Sequence, residues 1–112
     1  MRDRLISHSQ VSYFLNKVIQ NFPNFAAGVV ADKNGFPLAS KITHNFPYRE
    51  QDLALEAIAD ERNFIPSSQY VKVKRSLNQN GTIKLLLILH KPNQYVNGFK
   101  KLKNIIRRQI LF

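Results

Sequence analysis

Five consecutive apolar residues, Leu85 to Leu89, leave this chain few ways to fold. Asn80-Gly81 stands just before them and Pro92 just after, so the segment from Ile83 to Lys91 is too short for a helix and reads as a strand. A strand that is apolar at odd and even positions alike is covered on both faces. Helices are therefore expected on both sides of whatever sheet contains it. Its neighbour in sequence, Tyr70 to Leu77, alternates Val71 and Val73 against Lys72 and Lys74 and reads as a half-exposed strand. Asn78-Gln79-Asn80-Gly81 joins the two as a hairpin turn.

A second hairpin lies nearer the start. Phe25 to Ala31, FAAGVVA, is a strand whose small members Ala26, Ala27 and Gly28 predict close packing against it. Asn34-Gly35 follows and suggests a type I′ turn, and Phe36 to Ile42 is the return strand. Pro37 cannot donate to a ladder, so this strand is placed at a sheet edge.

Three helices complete the pattern. From about Ser9 to Gln20, Val11, Phe14, Leu15, Val18 and Ile19 recur at helical spacing, and Phe22-Pro23-Asn24 ends the run. From about Asn93 to Leu111, Tyr95, Phe99, Leu102, Ile106 and Ile110 form one stripe, with Lys100, Lys101, Lys103, Arg107 and Arg108 on the other side. Between them, Arg49 to Glu61 places Asp52, Glu56 and Asp60 on one narrow, solvated stripe, while Leu53, Ala54, Leu55, Ala57, Ile58 and Ala59 cover most of the rest. A surface helix of a monomer needs an apolar arc of roughly 100°. The excess here points to a second copy of the chain covering Leu53, Leu55, Ala57, Ile58 and Ala59; the alternative is alanine tolerated in water as a good helix former.

Composition narrows the chemistry. At 112 residues and 44% hydrophobic, the chain suits one domain, 1–112, with a modest core. No cysteine is present, so disulfides and thiolate metal sites are excluded. No apolar run approaches the roughly 20 residues that span a bilayer, and MRDRLISHSQ lacks the apolar core of a signal peptide, so a cytoplasmic location is expected. His8, His44 and His90 share no metal-ligand spacing, and no GxxxxGK phosphate loop occurs. The reading is non-enzymatic, with no catalytic residue, metal or cofactor expected. The formal charge is +10, and from Val71 to Phe112 there are ten basic residues and no acid, whereas five of the seven acids lie between Glu50 and Glu61. Such a field favours polyanions. Lys100, Lys101, Lys103, Arg107 and Arg108 form a candidate basic patch, which Lys72, Lys74, Arg75 and Lys84 would extend across the sheet edge.

The order helix, strand, strand, helix, strand, strand, helix defines an α+β chain with an antiparallel sheet between helices. Within it, Asp32, Gly35, Phe36, Pro37, Leu38, Ala39 and Ser40 follow a strand of small and β-branched residues. This arrangement resembles the Roadblock (dynein light chain) family, over nearly the whole chain. That family's sheet has five strands against the four read here; a short strand between Asn63 and Tyr70, a trimmed variant, or a longin- or profilin-like scaffold would account for the difference. The resemblance implies a homodimer or heterodimer in which the second helices pair and edge strands join, which would bring Val71 and Val73 to the interface. It also implies a scaffold for a small Ras-like GTPase, met by a composite surface around that helix, with Arg49, Asp52, Glu56 and Arg62 as the partner-facing residues. Arg49 and Arg62 would be the candidates for a charge-stabilising arginine if hydrolysis were stimulated. The rival reading is a basic adaptor that docks on nucleic acid or anionic membrane through its last helix.

Overall fold

The computed structural model describes residues 8–44, 46–59, 70–91, 96–109 and 111–112. Seven elements follow in the expected order: α1 (His8–Ile19), β1 (Phe25–Asp32), β2 (Pro37–Ile42), α2 (Glu50–Ile58), β3 (Tyr70–Ser76), β4 (Ile83–His90) and α3 (Val96–Arg108). The four strands form one antiparallel sheet in the order β2-β1-β4-β3. Any strand between Asn63 and Gln69 lies outside the described residues.

β4 behaves as its composition requires. Leu85, Leu87 and Leu89 join the core beneath α1 and α3, while Leu86 and Ile88 join the core beneath α2, and all five are buried. Each such side chain removed from water contributes about 1.5–3 kcal/mol before entropy is charged against it. The described residues thus form three layers, with α1 and α3 on one face of the sheet and α2 on the other. On the first face, Val11, Phe14, Leu15 and Val18 of α1 and Leu102 of α3 meet Val30, Ala39 and Val73. On the second, Leu53, Ala54 and Ala57 of α2 rest on Ala27, Val29 and Ala31. The small residues of β1 permit this approach on both sides. A Cβ on Gly28 would stand 3.1 Å from the Phe25 ring and 3.2 Å from Leu87, with Leu15 of α1 close behind.

Two irregularities reset the alternation of β1 and β2. The register of β1 against β4 shifts between Phe25 and Ala27, so Phe25 packs toward α1 and α3 although Ala27 faces α2. The extra residue, Ala26, turns its carbonyl to the Thr43 amide at 3.0 Å and the Thr43 hydroxyl at 2.8 Å. β2 shifts against β1 beside Pro37, on the outer edge of the sheet, where the missing N–H removes no ladder bond.

The first hairpin turn differs from the expectation. A type I′ turn needs positive φ at both Asn34 and Gly35, but among the described residues no non-glycine has positive φ; Gly35 has +82°. The Gly35 amide donates to the Asp32 carbonyl at 3.0 Å, and the Asp32 carboxylate accepts the amides of Asn34 at 2.9 Å and Phe36 at 3.0 Å. Asp32 therefore stabilises a three-residue loop with glycine in the left-handed position, a geometry that spares Asn34 the strain of positive φ. The second turn repeats the device, with Gly81 at +69° and the Asn78 side chain accepting the Thr82 amide at 3.0 Å.

Both later helices stop short of their expected ends. α2 closes at Ile58, where Ala59 is extended and its carbonyl accepts the Lys74 ammonium at 2.9 Å. A cation at a helix C-terminus satisfies an orphan carbonyl and the negative end of the dipole together. α3 closes at Arg108 because the Gln109 carboxamide oxygen takes the amides of Leu111 at 2.8 Å and Phe112 at 3.1 Å. The chain turns back there, and Phe112 meets Phe14 edge to face.

Candidate functional site

α2 carries most of the residues singled out from sequence, and its orientation redistributes them. Leu53 and Ala57, expected at a dimer interface, are sealed inside the single chain at 0% and 3% exposure because they point at the sheet. Val73, 4% exposed, and Val71, half-buried, lie in the core beneath α1 and α3, on the opposite face of the sheet from α2. Their side chains are therefore turned away from the α2 face, while β3 itself stands at the edge of the sheet. Of the proposed interface, Leu55, Ile58 and Ala59 remain accessible in part, with Leu55 the most exposed of the helix's apolar side chains at 43%.

Glu56 is the larger correction. The helical wheel places it with Asp52 on a solvated, partner-facing stripe; in the fold it is wholly buried. Its carboxylate accepts the Lys72 ammonium at 3.3 Å and lies 3.6 Å from that of Lys74. The even positions of β3 face α2, so Lys72 and Lys74, expected on the exposed face of the strand, are the counter-charges of a buried acid. Lys72 and Lys74 are thereby removed from any continuous patch with α3, which lies across the sheet. Lys84 donates to the Ser76 hydroxyl at 2.9 Å, and Arg75 to the Lys74 carbonyl at 2.8 Å.

The other acids of α2 are also engaged. Asp52 accepts the Arg49 amide at 3.2 Å, closing the first turn, and Glu50 accepts the Ser40 hydroxyl at 2.6 Å, tying α2 to β2. Arg49 is exposed at the head of the helix. Arg62, with Asp60 and Glu61, lies outside the described residues.

Besides Gln51, the exposed side chain of α2 is the apolar Leu55. Leu55 and Ile58 lean over the first hairpin turn, where a Cβ added to Gly35 would lie 3.1 Å from one and 3.2 Å from the other. The next residue is Phe36, 64% exposed. Among the described residues the large exposed hydrophobics are Tyr13, Phe36 and Leu55, and Phe36 directly follows the glycine over which Leu55 leans. From sequence, Phe36 opens the return strand and belongs to the motif that resembles the Roadblock family, without being a site residue; an aromatic immediately after a turn glycine is the available signal.

On the far face, α3 is the amphipathic helix expected. Leu102 is buried and Phe99 packs edge to face on Phe22, while Lys100, Lys101, Lys103, Arg107 and Arg108 are all exposed. Tyr95 and Ile110 lie outside the described residues. Between α1 and α3 runs a groove of about 590 Å³. Phe14 and Ile105 form its floor, and Tyr13, 71% exposed, stands at its side. Tyr13 and Lys17 were not read as site residues, although both fall off the apolar stripe of α1.

Among the described residues, no three His, Asp or Glu side chains gather in a way that could hold a metal ion. No helix of the described residues is long and apolar enough to cross a membrane. Set against family models, curated proteins and solved structures, the chain matches none.

Proposed function

We propose that this chain is a non-enzymatic interaction module that pairs with a second copy through the corner formed by Phe36, Leu55 and Ile58. The observation that carries the reading is that Leu55, 43% exposed, and Ile58 lean over the Gly35 turn just ahead of Phe36, 64% exposed, on a helix that bears Glu50, Asp52 and Glu56 in a chain of charge +10. Charge repulsion between two copies is smaller there than across the five exposed cations of α3. A stable interface buries roughly 1,600 Å², so these three side chains would be its desolvated centre, with Ala59 at their margin. Following the resemblance to the Roadblock family, the dimer would act in the cytoplasm as a scaffold for a small Ras-like GTPase, and exposed Arg49 lies close enough in sequence to α2 to take part in that contact.

Light scattering tests the pairing. The wild type is expected at twice the chain mass and Leu55→Glu at the chain mass; a monomeric wild type removes the reading. Calorimetric titration with purified Ras-like GTPases, in the GDP and GTP-analogue states, tests the partner, and heat that is unchanged by Leu55→Glu would argue against a composite surface at this corner.

A second reading draws support from the five exposed cations of α3: docking on nucleic acid or anionic membrane. A phosphate-driven contact weakens steeply as salt rises, whereas an apolar protein contact does not.

A further inference from the structure

We propose that the groove between α1 and α3 is a docking site for an acidic peptide segment bearing an apolar side chain. The site lies across the sheet from α2, so it goes beyond the pairing proposed above and stands or falls separately.

The groove has the layout such a ligand requires. Its floor is apolar, with Phe14 4% exposed and Ile105 half-buried, and its volume of about 590 Å³ accommodates a few side chains. Lys17 and Arg108, both exposed, border it, and a shallower hollow of about 280 Å³ continues past Lys17 and Ile105 to Lys101. Among the described residues, no acid lines either hollow. Cations on both walls of an apolar trough attract carboxylates while the trough itself takes a hydrophobic anchor.

The same geometry disfavours other occupants. A bilayer is reached by side chains that protrude, and here the apolar atoms are recessed below a charged rim. Single-stranded nucleic acid is held by successive aromatic platforms, and among the described residues Tyr13 is the one exposed aromatic lining the groove. A second copy carries +10, and its described α2 carboxylates are engaged by Lys72, Ser40 and the Arg49 amide. Residues 1–7 hold Arg2 and Arg4 against Asp3, so their net charge has the sign of the rim.

The test uses the intact chain and a fluorescein-labelled peptide in which a Leu-Phe pair is flanked by runs of Glu and Asp, read by fluorescence anisotropy. Saturable binding is expected. The double variant Lys17→Glu with Arg108→Glu should weaken it about tenfold or more, equivalent to about 1.4 kcal/mol. Lys100→Glu with Lys103→Glu makes the same change in net charge away from the groove and should weaken it less than about threefold. All four positions are exposed, so both variants should fold, which circular dichroism verifies. Changing the Leu-Phe pair to Ser-Ser should remove most of the binding. Equal losses in the two double variants would reduce the effect to bulk charge and overturn the site. Absence of saturable binding, or displacement of the peptide by oligouridylate or by phosphatidylserine vesicles at lower concentration than by unlabelled peptide, would overturn the ligand class.

Discussion

Replacing Glu56 with alanine removes the carboxylate that lies 3.3 Å from Lys72 and 3.6 Å from Lys74. The consequence depends on what the lysines can do next. The Lys74 side chain is a third exposed and also donates to the Ala59 carbonyl, so it can turn to water at small cost. The Lys72 side chain is only 11% exposed and loses the buried carboxylate that it faces. Removing one partner of a buried pair costs about 3–5 kcal/mol, and the exposure of Lys74 places Glu56→Ala near the lower end, at about 3 kcal/mol. For a domain of this size each kcal/mol lowers Tm by about 4–8 °C, which amounts to roughly 12–24 °C. Urea denaturation followed by far-ultraviolet circular dichroism would give the change directly, with an unchanged m-value as the sign that the transition itself is the same. Replacing both partners, Glu56→Leu with Lys72→Met, should recover most of the loss, because an apolar pair needs no desolvated charge. A loss below about 1 kcal/mol for Glu56→Ala would refute the claim that the buried carboxylate holds α2 to β3.

Other substitutions probe separate parts of the fold. Gly35→Ala puts a Cβ where φ is +82° and within 3.2 Å of Leu55 and Ile58, and should destabilise by about 1–2 kcal/mol in the same denaturation assay. Leu87→Ala opens a cavity under α1 and should cost about 2–5 kcal/mol, whereas Leu55→Ala, at 43% exposure, should leave the stability of the monomer within about 0.5 kcal/mol. Equal effects at those two positions would contradict the assignment of Leu55 to the surface.

The two candidate surfaces have a common structural cause. The sheet has β1 and β4 at its centre, and the chain crosses from the β2 edge to the β3 edge by way of α2 on one face, while α1 and α3 lie on the other. A module built this way can hold one partner at the α2 corner and a second in the α1–α3 groove without competition between them, since the sheet separates the sites. Scaffolding follows from that geometry if both contacts exist, and the oligomeric state and the peptide titration test them separately.

Secondary structure was legible in the chain because it rests on local causes. The apolar run at Leu85–Leu89 demanded cover on both faces, Pro37 demanded an edge, and the spacing of Val11, Phe14, Leu15 and Val18 demanded a helix; each requirement concerns neighbours in sequence and each is met. The functional surface was not legible to the same degree. Whether Glu56 meets solvent or lysine depends on β3 lying beneath α2, and whether Leu53 and Ala57 are available to a second molecule depends on the helix's rotation about its own axis. Those choices are made by packing between segments far apart in the chain, where burial of the α2 alanines against β1 outweighs the desolvation of one carboxylate, provided that lysines accompany it. Periodicity reports that a face exists; only the tertiary arrangement decides what it faces.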